Sequence, residues 1–294
     1  MSTPEQPAAR NFDLVAFDLD GTVFDSPTHQ VMADRVYDAL QAAHDAGAVI
    51  AVASGRPAWM LGEQIPVAPW LDFAITCNGA RVSGTRRSDL DFDASFERGV
   101  AEKTLAAIAE LGGCVSIHTS VESIMENAQL KRMGKRLRDE GGAAGGNPIE
   151  ALLAAFGCVA AKSALEAFRE RPEQQLDKVD CTMPSAEAAD VLEKRLRSLG
   201  GVGIARLNSN EFELTAAAAS KGDACEELCR RIGIDPSRAV AFGDSGNDLS
   251  MSGRAITFVA MGNAPEGVKA AADDVTDPVT EDGVATWIEA HLLA

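Results

Sequence analysis

The chain has 294 residues, and 46% of them are hydrophobic, so it is long and apolar enough to fill the cores of two ordinary domains. Its 44 acidic residues outnumber its 27 basic ones and give a net charge of −17, which disfavours nucleic acid as a partner, because clustered Lys and Arg hold phosphate backbones. No apolar stretch approaches the roughly 20 residues that span a bilayer, and the first dozen residues lack an apolar signal core. The six cysteines are scattered and form no Cys-x-x-Cys pair. We therefore expect reduced thiols, no membrane partner and a cytoplasmic location.

Strand-like apolar runs alternate with helical segments in the first part of the chain. The pattern predicts a strand over residues 14–18, a helix over residues 27–46 and a second strand in "AVIAVASGR", which starts at Ala48. A short helical stretch and a third strand, "FAITCNGA", follow. This βαβαβ order is typical of a parallel sheet with crossover helices.

The same pattern returns near the carboxyl terminus. It predicts a helix over 220–232, a strand in "RAVAFGDSGND", a short helix, a strand in "AITFVAMGN" and a closing helix over 281–293. The middle has its own helices, over 100–111 and 186–199, short strands and a glycine-rich loop, "EGGAAGGNP", at 140–148. We therefore predict an α/β fold, a Rossmann-like parallel-sheet core of residues 1–84 and 213–294, with an inserted α+β cap of residues 85–212.

Polar side chains follow three strands of the predicted core. In chain order they are Asp18, Asp20, Ser54, Arg56, Asp244, Asn247 and Asp248. Ligands of open parallel sheets bind beyond the carboxyl ends of the strands, so we expect these residues to converge in space. Carboxylates without His or Cys partners suit a hard divalent cation such as Mg²⁺. The sequence thus predicts a magnesium site at this end of the sheet.

Four motifs stand in order along the core: "DLDGTVFD", "VASGR", Lys221 in "SKGDA", and "FGDSGNDLSM". They resemble the four motifs of the haloacid dehalogenase (HAD) superfamily of phosphohydrolases. "CNGA" and the tail "AMGNAPEGVKAAADDVTDPVTEDGVA" further resemble its Cof-type branch, whose large cap is inserted after the third strand. Ala216, Ala218 and Pro278 depart from the pattern of that branch, which affects loop details. The resemblance implies a Mg²⁺-dependent phosphatase that hydrolyses small phosphate esters, such as sugar phosphates.

The resemblance also implies a role for each motif residue. Asp18 would be the nucleophile that forms an aspartyl-phosphate, and Asp20 would be the general acid and base. The expected phosphate-binding residues are Ser54, Gly55, Lys221 and Asn247. The expected metal ligands are Asp18, Asp20 through its backbone carbonyl, Asp244 and Asp248, of which Asp248 either ligates or orients.

Other interpretations have their own sequence signals. A phosphomutase on the same fold would pass the phosphoryl group to a second hydroxyl, and a non-catalytic phospho-ligand sensor would be expected to lose Asp18, Asp20 or Lys221, which are all present. "GDSGN" is similar to the segment around the serine protease nucleophile and would make Ser245 catalytic, but the βα pattern disfavours that fold. The basic cluster "KRMGKRLR" at 131–138 is typical of a solvated helix face, or alternatively borders a substrate entrance.

Overall fold

The computed structural model describes residues 12–25, 30–139 and 157–294. The chain divides into two compact units. The first comprises Met1–Gly55, Leu61–Phe92 and Lys221–Ala294, and the second comprises Arg56–Met60 and Asp93–Ser220. The main boundaries therefore lie eight residues beyond the predicted ones. The reason is that a short strand ending at Asp93 still belongs to the first sheet, whereas a strand ending at Ala216 belongs to the second.

The described part of the chain contains fourteen strands and eight α-helices. The strands are β1 (Leu14–Phe17), β2 (Val49–Ala53), β3 (Phe73–Thr76), β4 (Arg81–Gly84), β5 (Phe92–Asp93), β6 (Cys114–Thr119), β7 (Ser123–Glu126), β8 (Cys158–Ala161), β9 (Leu176–Thr182), β10 (Val202–Arg206), β11 (Glu211–Ala216), β12 (Ala239–Gly243), β13 (Thr257–Ala260) and β14 (Asp274–Val275). The helices are α1 (Asp34–Asp45), α2 (Arg98–Glu110), α3 (Asn127–Asp139), α4 (Ala164–Arg169), α5 (Ala186–Leu199), α6 (Lys221–Ile232), α7 (Glu266–Lys269) and α8 (Gly283–His291). Within these ranges, no helix combines the length and the apolar character needed to cross a membrane.

The sheet of the first unit has eight strands in the order β14, β13, β12, β1, β2, β3, β4, β5. β1 lies in the middle and pairs in parallel with β2 on one side and β12 on the other, so that Val15 is level with Ile50 and Val240. β4 adds antiparallel to β3. The chain order reverses at β1, and in open α/β sheets such a switch point opens a crevice beyond the carboxyl ends of the strands. The predicted parallel-sheet core is confirmed.

Alternate residues of β1 pack into two different core layers. Val15 and Phe17 belong to the layer that contains buried side chains of α1 and α8. Leu14 and Ala16 belong to the opposite layer, which contains buried side chains of α6. Strands that are buried on both faces read as continuous apolar runs, which is why β1 was recognisable in the sequence. The residues that follow β1 are therefore held on a strand with helices on both sides.

Helix α1 begins later than predicted. Residues 26–29 lie outside the described part, residues 30–33 are not helical, and the helix starts at Asp34. Val31 lies at helical spacing with the apolar residues Val36 and Leu40 of the predicted helix, but it is 53% exposed, whereas the neighbouring Met32 is 1% exposed. The predicted helices over 186–199 and 220–232 match α5 and α6 within one residue.

The second unit contains a six-stranded sheet in the order β10, β11, β9, β6, β7, β8. Its strands pair antiparallel except β7 and β8, which run parallel.

The basic cluster at 131–138 lies on α3, where the described side chains of Lys131, Arg132 and Lys135 are exposed, as expected for a solvated helix face. The predicted glycine-rich loop at 140–148 lies outside the described residues.

Candidate active site

The loop that follows β1 places Asp18 at the switch point of the sheet. The backbone N–H of Asp18 donates to the carbonyl of Phe242 at 3.0 Å, so strand pairing continues one residue past β1. The side chain of Asp18 is buried. The chain then turns at Gly21, which has a φ of +78°, and a Cβ there would lie 2.2 Å from Oδ2 of Asp244. Only glycine fits this turn, because a side chain would clash with Asp244.

Lys221 joins two of the predicted site carboxylates. It is the first residue of α6 and is 0% exposed. Its Nζ lies 2.9 Å from Oδ1 of Asp18 and 2.7 Å from Oδ1 of Asp248. Burial alone would lower the pKa of the Lys221 ammonium, but the charges of Asp18 and Asp248 raise it above its ordinary value. Lys221 therefore supplies a fixed positive charge beside Asp18.

Asp248 shapes the loop that follows β12. It starts a short 3-10 helix, Asp248–Met251, and is fully buried. Its Oδ2 accepts hydrogen bonds from the backbone N–H groups of Asp244 and Ser245, each at 3.0 Å, while its Oδ1 accepts one from Lys221. Both oxygens are thus engaged by the protein, which suits Asp248 to orienting Asp244 and Lys221 more than to direct metal ligation.

Asp18, Asp244 and Asp248 form one carboxylate group in the first unit, each offering an oxygen within 4.8 Å of the others. Burial raises the pKa of Asp18 to about 7, even though Lys221 lowers it. Burial, together with the charge of Asp248, raises the pKa of Asp244 to about 6. Oδ1 of Asp244 is buried and has no hydrogen-bond partner among the described residues. A buried oxygen without a partner is unfavourable unless a bound water or ion contacts it.

These features fit a divalent cation. Three crowded carboxylates face one ammonium, and a bound cation would both offset their repulsion and coordinate the buried oxygen of Asp244. The side chain of Asp20 is half-buried and is not a member of the three-carboxylate group, but its charge helps to raise the pKa of Asp244. The structure therefore places Asp20 beside the group.

The remaining predicted site residues lie on neighbouring loops of the first unit. Ser54 directly follows β2, is buried, and donates its backbone N–H to Ile75 at 2.8 Å. Asn247 donates from Nδ2 to Oδ1 of Asn78 at 3.0 Å. Asn78 in turn donates its backbone N–H to the carbonyl of Ser54 at 3.0 Å. Arg56, also noted in the sequence, groups with the second unit and donates to the carbonyl of Met60 at 2.9 Å.

Sequence reasoning assigned no role to Asn78, which links two of the predicted loops. The signal was present in the sequence, because an Asn-Gly pair directly after a buried strand marks a tight turn at the carboxyl end of the sheet.

Ser245, the residue that a serine protease would use as nucleophile, donates its hydroxyl to Oδ1 of Asn247 at 2.7 Å, within its own loop. The serine protease interpretation is wrong, because the sheet topology is that of an α/β fold.

A separate polar network lies in the second unit. His118 is 2.7 Å from Oγ of Ser123 through Nδ1 and 2.7 Å from Oδ2 of Asp180 through Nε2. Ser123 is buried and also accepts a hydrogen bond from Nε1 of Trp59 at 3.0 Å. Although partial desolvation opposes ionisation, Lys178 and His118 hold the pKa of Asp180 well below its usual range. Because the hydroxyl of Ser123 is buried and hydrogen-bonded to both His118 and Trp59, we interpret this network as structural.

Comparison with known proteins agrees with this geometry. The family of haloacid dehalogenase-like hydrolases matches residues 15–288. The 5-amino-6-(5-phospho-D-ribitylamino)uracil phosphatase YcsE of Bacillus subtilis is 25% identical over 285 residues, which cover 95% of this chain and 96% of that protein. A solved haloacid dehalogenase-like hydrolase from B. subtilis has a TM-score of 0.76 at 24% identity, and the match covers 94% of this chain and 99% of that one. A solved HAD subclass IIB sugar phosphatase has a TM-score of 0.74 at 24% identity and covers 95% of this chain and 98% of its own.

The two solved structures share the fold of this chain. The predicted resemblance, fold class and enzyme class, a phosphatase, are confirmed. Because the family match extends over nearly the whole sequence, the chain belongs to the haloacid dehalogenase-like hydrolases.

Proposed function

We propose that this protein is a Mg²⁺-dependent phosphatase that hydrolyses small phosphorylated metabolites, such as sugar phosphates, through an aspartyl-phosphate on Asp18. The observation that carries the proposal is the buried Asp18 carboxylate at the switch point of the sheet, paired with Lys221 and grouped with Asp244. The names of the relatives support the substrate class, since one acts on a phosphorylated ribitylaminouracil and another is a sugar phosphatase.

Asp18 is suited to nucleophilic attack. Its Oδ1 lies 2.9 Å from Lys221, which fixes the orientation of the carboxylate. An Asp18 oxygen attacks phosphorus, so that a new O–P bond forms while the bond from phosphorus to the leaving oxygen breaks. The ammonium of Lys221 then offsets the negative charge that spreads over the phosphoryl oxygens.

Asp20 would move the protons of both steps. Its half-buried side chain follows Asp18 by two residues on the same turn. It gives a proton to the leaving oxygen in the first step. In the second step it takes a proton from the water that attacks the aspartyl-phosphate, which restores Asp18 and releases inorganic phosphate. Ser54, Gly55 and Asn247 would donate hydrogen bonds to the phosphoryl oxygens.

Asp18, Asp244 and the backbone carbonyl of Asp20 would hold Mg²⁺, with Asp248 orienting Asp244. The all-oxygen donor set and the buried Asp244 oxygen without a hydrogen-bond partner support this choice of metal. When bound, Mg²⁺ supplies positive charge that reduces the repulsion between the attacking carboxylate and the phosphate ester.

The test is a screen of sugar phosphates, nucleotides and cofactor phosphates for released inorganic phosphate. Asp18→Asn should abolish release while the circular dichroism spectrum and melting temperature stay close to those of the wild type. The matched control is Asp38→Asn, the same chemical change on the exposed face of α1. Release at a near wild-type rate from Asp18→Asn would refute the nucleophile assignment. Isomerised substrate without released phosphate would instead indicate a mutase, and binding without turnover a sensor.

A further inference from the structure

The turn between β3 and β4 has an uncommon backbone. Its three residues, Cys77–Gly79, all have positive φ, with values of 51°, 56° and 92°. Residues other than glycine seldom have positive φ. Among the described residues of this chain, three non-glycine residues do: Cys77, Asn78 and Asp282. Cys77 and Asn78 are also buried. A strained and buried turn that persists is an observation that points toward function.

This turn holds Asn78 against two loops of the candidate active site. The backbone N–H of Asn78 donates to the carbonyl of Ser54 at 3.0 Å, which ties the turn to the loop after β2. A Cβ added to Gly55 would lie 2.9 Å from Oδ1 of Asn78, so the amide packs directly on the backbone of Gly55. Helix α6, which begins with Lys221, also packs against the turn.

The side chain of Asn78 decides how Asn247 is oriented. Oδ1 of Asn247 accepts a hydrogen bond from Oγ of Ser245 at 2.7 Å, and its Nδ2 donates to Oδ1 of Asn78 at 3.0 Å. The two contacts together leave one orientation for the amide plane. An amide nitrogen carries two N–H groups, and Asn78 accepts one of them.

We infer that Asn78 is a positioning residue for the phosphatase reaction. By accepting one N–H of Asn247, it directs the other toward the phosphoryl group, and the tight packing on Gly55 fixes the amide of Asn78 itself. The inference rests on the proposed function in that Asn247 is taken to bind the phosphoryl group. The inference adds Asn78, which acts on the phosphoryl group only through Asn247.

The first test is Asn78→Gly, which removes the amide but allows the positive φ without strain. The value of kcat/KM for p-nitrophenyl phosphate should fall roughly three- to tenfold, the effect of one hydrogen bond between neutral groups. The Kd of inorganic phosphate, measured by calorimetry in the presence of Mg²⁺, should rise by a similar factor. The matched control is Asp282→Gly, the same type of change at φ 57°, which should leave both quantities unchanged.

A double-mutant cycle with Asn247→Ala separates positioning from general structural support. In the Asn247→Ala background, Asn78→Gly should change the phosphate Kd by less than about twofold, because its partner is already gone.

Two results would overturn the inference. One is an equal loss from Asn78→Gly in both backgrounds, which would make the residue a general support of the fold. The other is an unchanged phosphate Kd in Asn78→Gly or in Asn247→Ala. Either result is distinct from failure of the proposed function, which is an active Asp18→Asn enzyme, because phosphate binding is measured without turnover.

Discussion

Replacing Lys221 by Met tests how the buried charges of the site depend on one another. Met has a similar length, so the change removes the ammonium while largely keeping the volume. The loss leaves Asp18 and Asp248 without the cation that lies 2.9 and 2.7 Å from them. Since Lys221 and Asp248 are both 0% exposed, solvent does not screen their interaction.

Removing one partner of a buried ion pair costs about 3–5 kcal/mol of unfolding free energy. Protonation of a carboxylate offsets part of this loss at neutral pH. The pKa of Asp18 is already about 7 while Lys221 lowers it, so without Lys221 we expect Asp18 to bind a proton at pH 7. We therefore expect a loss of about 3 kcal/mol at pH 7 and a larger loss at pH 9. A loss of about 3 kcal/mol corresponds to a melting temperature roughly 6–12 °C lower.

Chemical denaturation followed by tryptophan fluorescence measures this loss, because Trp70 and Trp287 are both buried in the core of the first unit. Lys221→Met/Asp248→Asn should recover part of the stability, since it removes one of the unpaired carboxylates. Lys103→Met, at an exposed position on α2, is the matched control and should change the free energy by less than about 0.5 kcal/mol. A Lys221→Met protein within about 1 kcal/mol of the wild type, or a double variant less stable than the single one, would contradict this electrostatic reasoning.

Three further predictions concern the acid, the metal and pH. Asp20→Asn should lower kcat by roughly 10²-fold or more while the Kd of inorganic phosphate is unchanged, and a kcat within threefold of the wild type would exclude Asp20 as the general acid. EDTA should abolish phosphate release and Mg²⁺ should restore it, whereas Ca²⁺ should bind with little turnover; full activity after exhaustive chelation would exclude the metal. Burial raises the pKa of Asp18 from 3.8 to about 7, so between these pH values the folded metal-free protein keeps a proton that the unfolded chain loses. Its stability should therefore fall as pH rises from about 4 to 7, and Asp18 contributes up to about 1.4 kcal/mol per pH unit to this slope. Asp18→Asn should lose that contribution and keep only the slope below about pH 6 that comes from Asp244, whose pKa is raised to about 6.

The sequence was informative about the strands of the first unit because parallel strands are buried on both faces. β1, β2 and β12 appear as short apolar runs that end on polar residues, which can be recognised without a structure. It was less informative about ends of elements. The start of α1 was wrong because Val31 matches the apolar spacing yet is exposed, and only packing distinguishes it from the buried Met32.

The candidate site could likewise be predicted only in part from the sequence. The strand order predicted that Asp18 and Asp244 lie close together, since strands of one parallel sheet end at the same edge. Lys221 starts a helix and was predicted at the site only from the resemblance to the family. The Asn-Gly pair indicated a turn at Asn78, but the sequence did not show its contact with Asn247, which lies 169 residues away along the chain.

The sequence by itself determined which chemical groups are available and the order of strands that brings their loops to one edge. Only the tertiary structure decided the burial, the contacts and the pKa values of these groups. Lys221 is fully buried between two carboxylates, and Asp18 has a pKa of about 7 because burial outweighs the charge of Lys221. Desolvation and Coulomb energy depend on surrounding atoms and on distances between residues that are far apart in the chain, and residue identity does not encode these quantities locally.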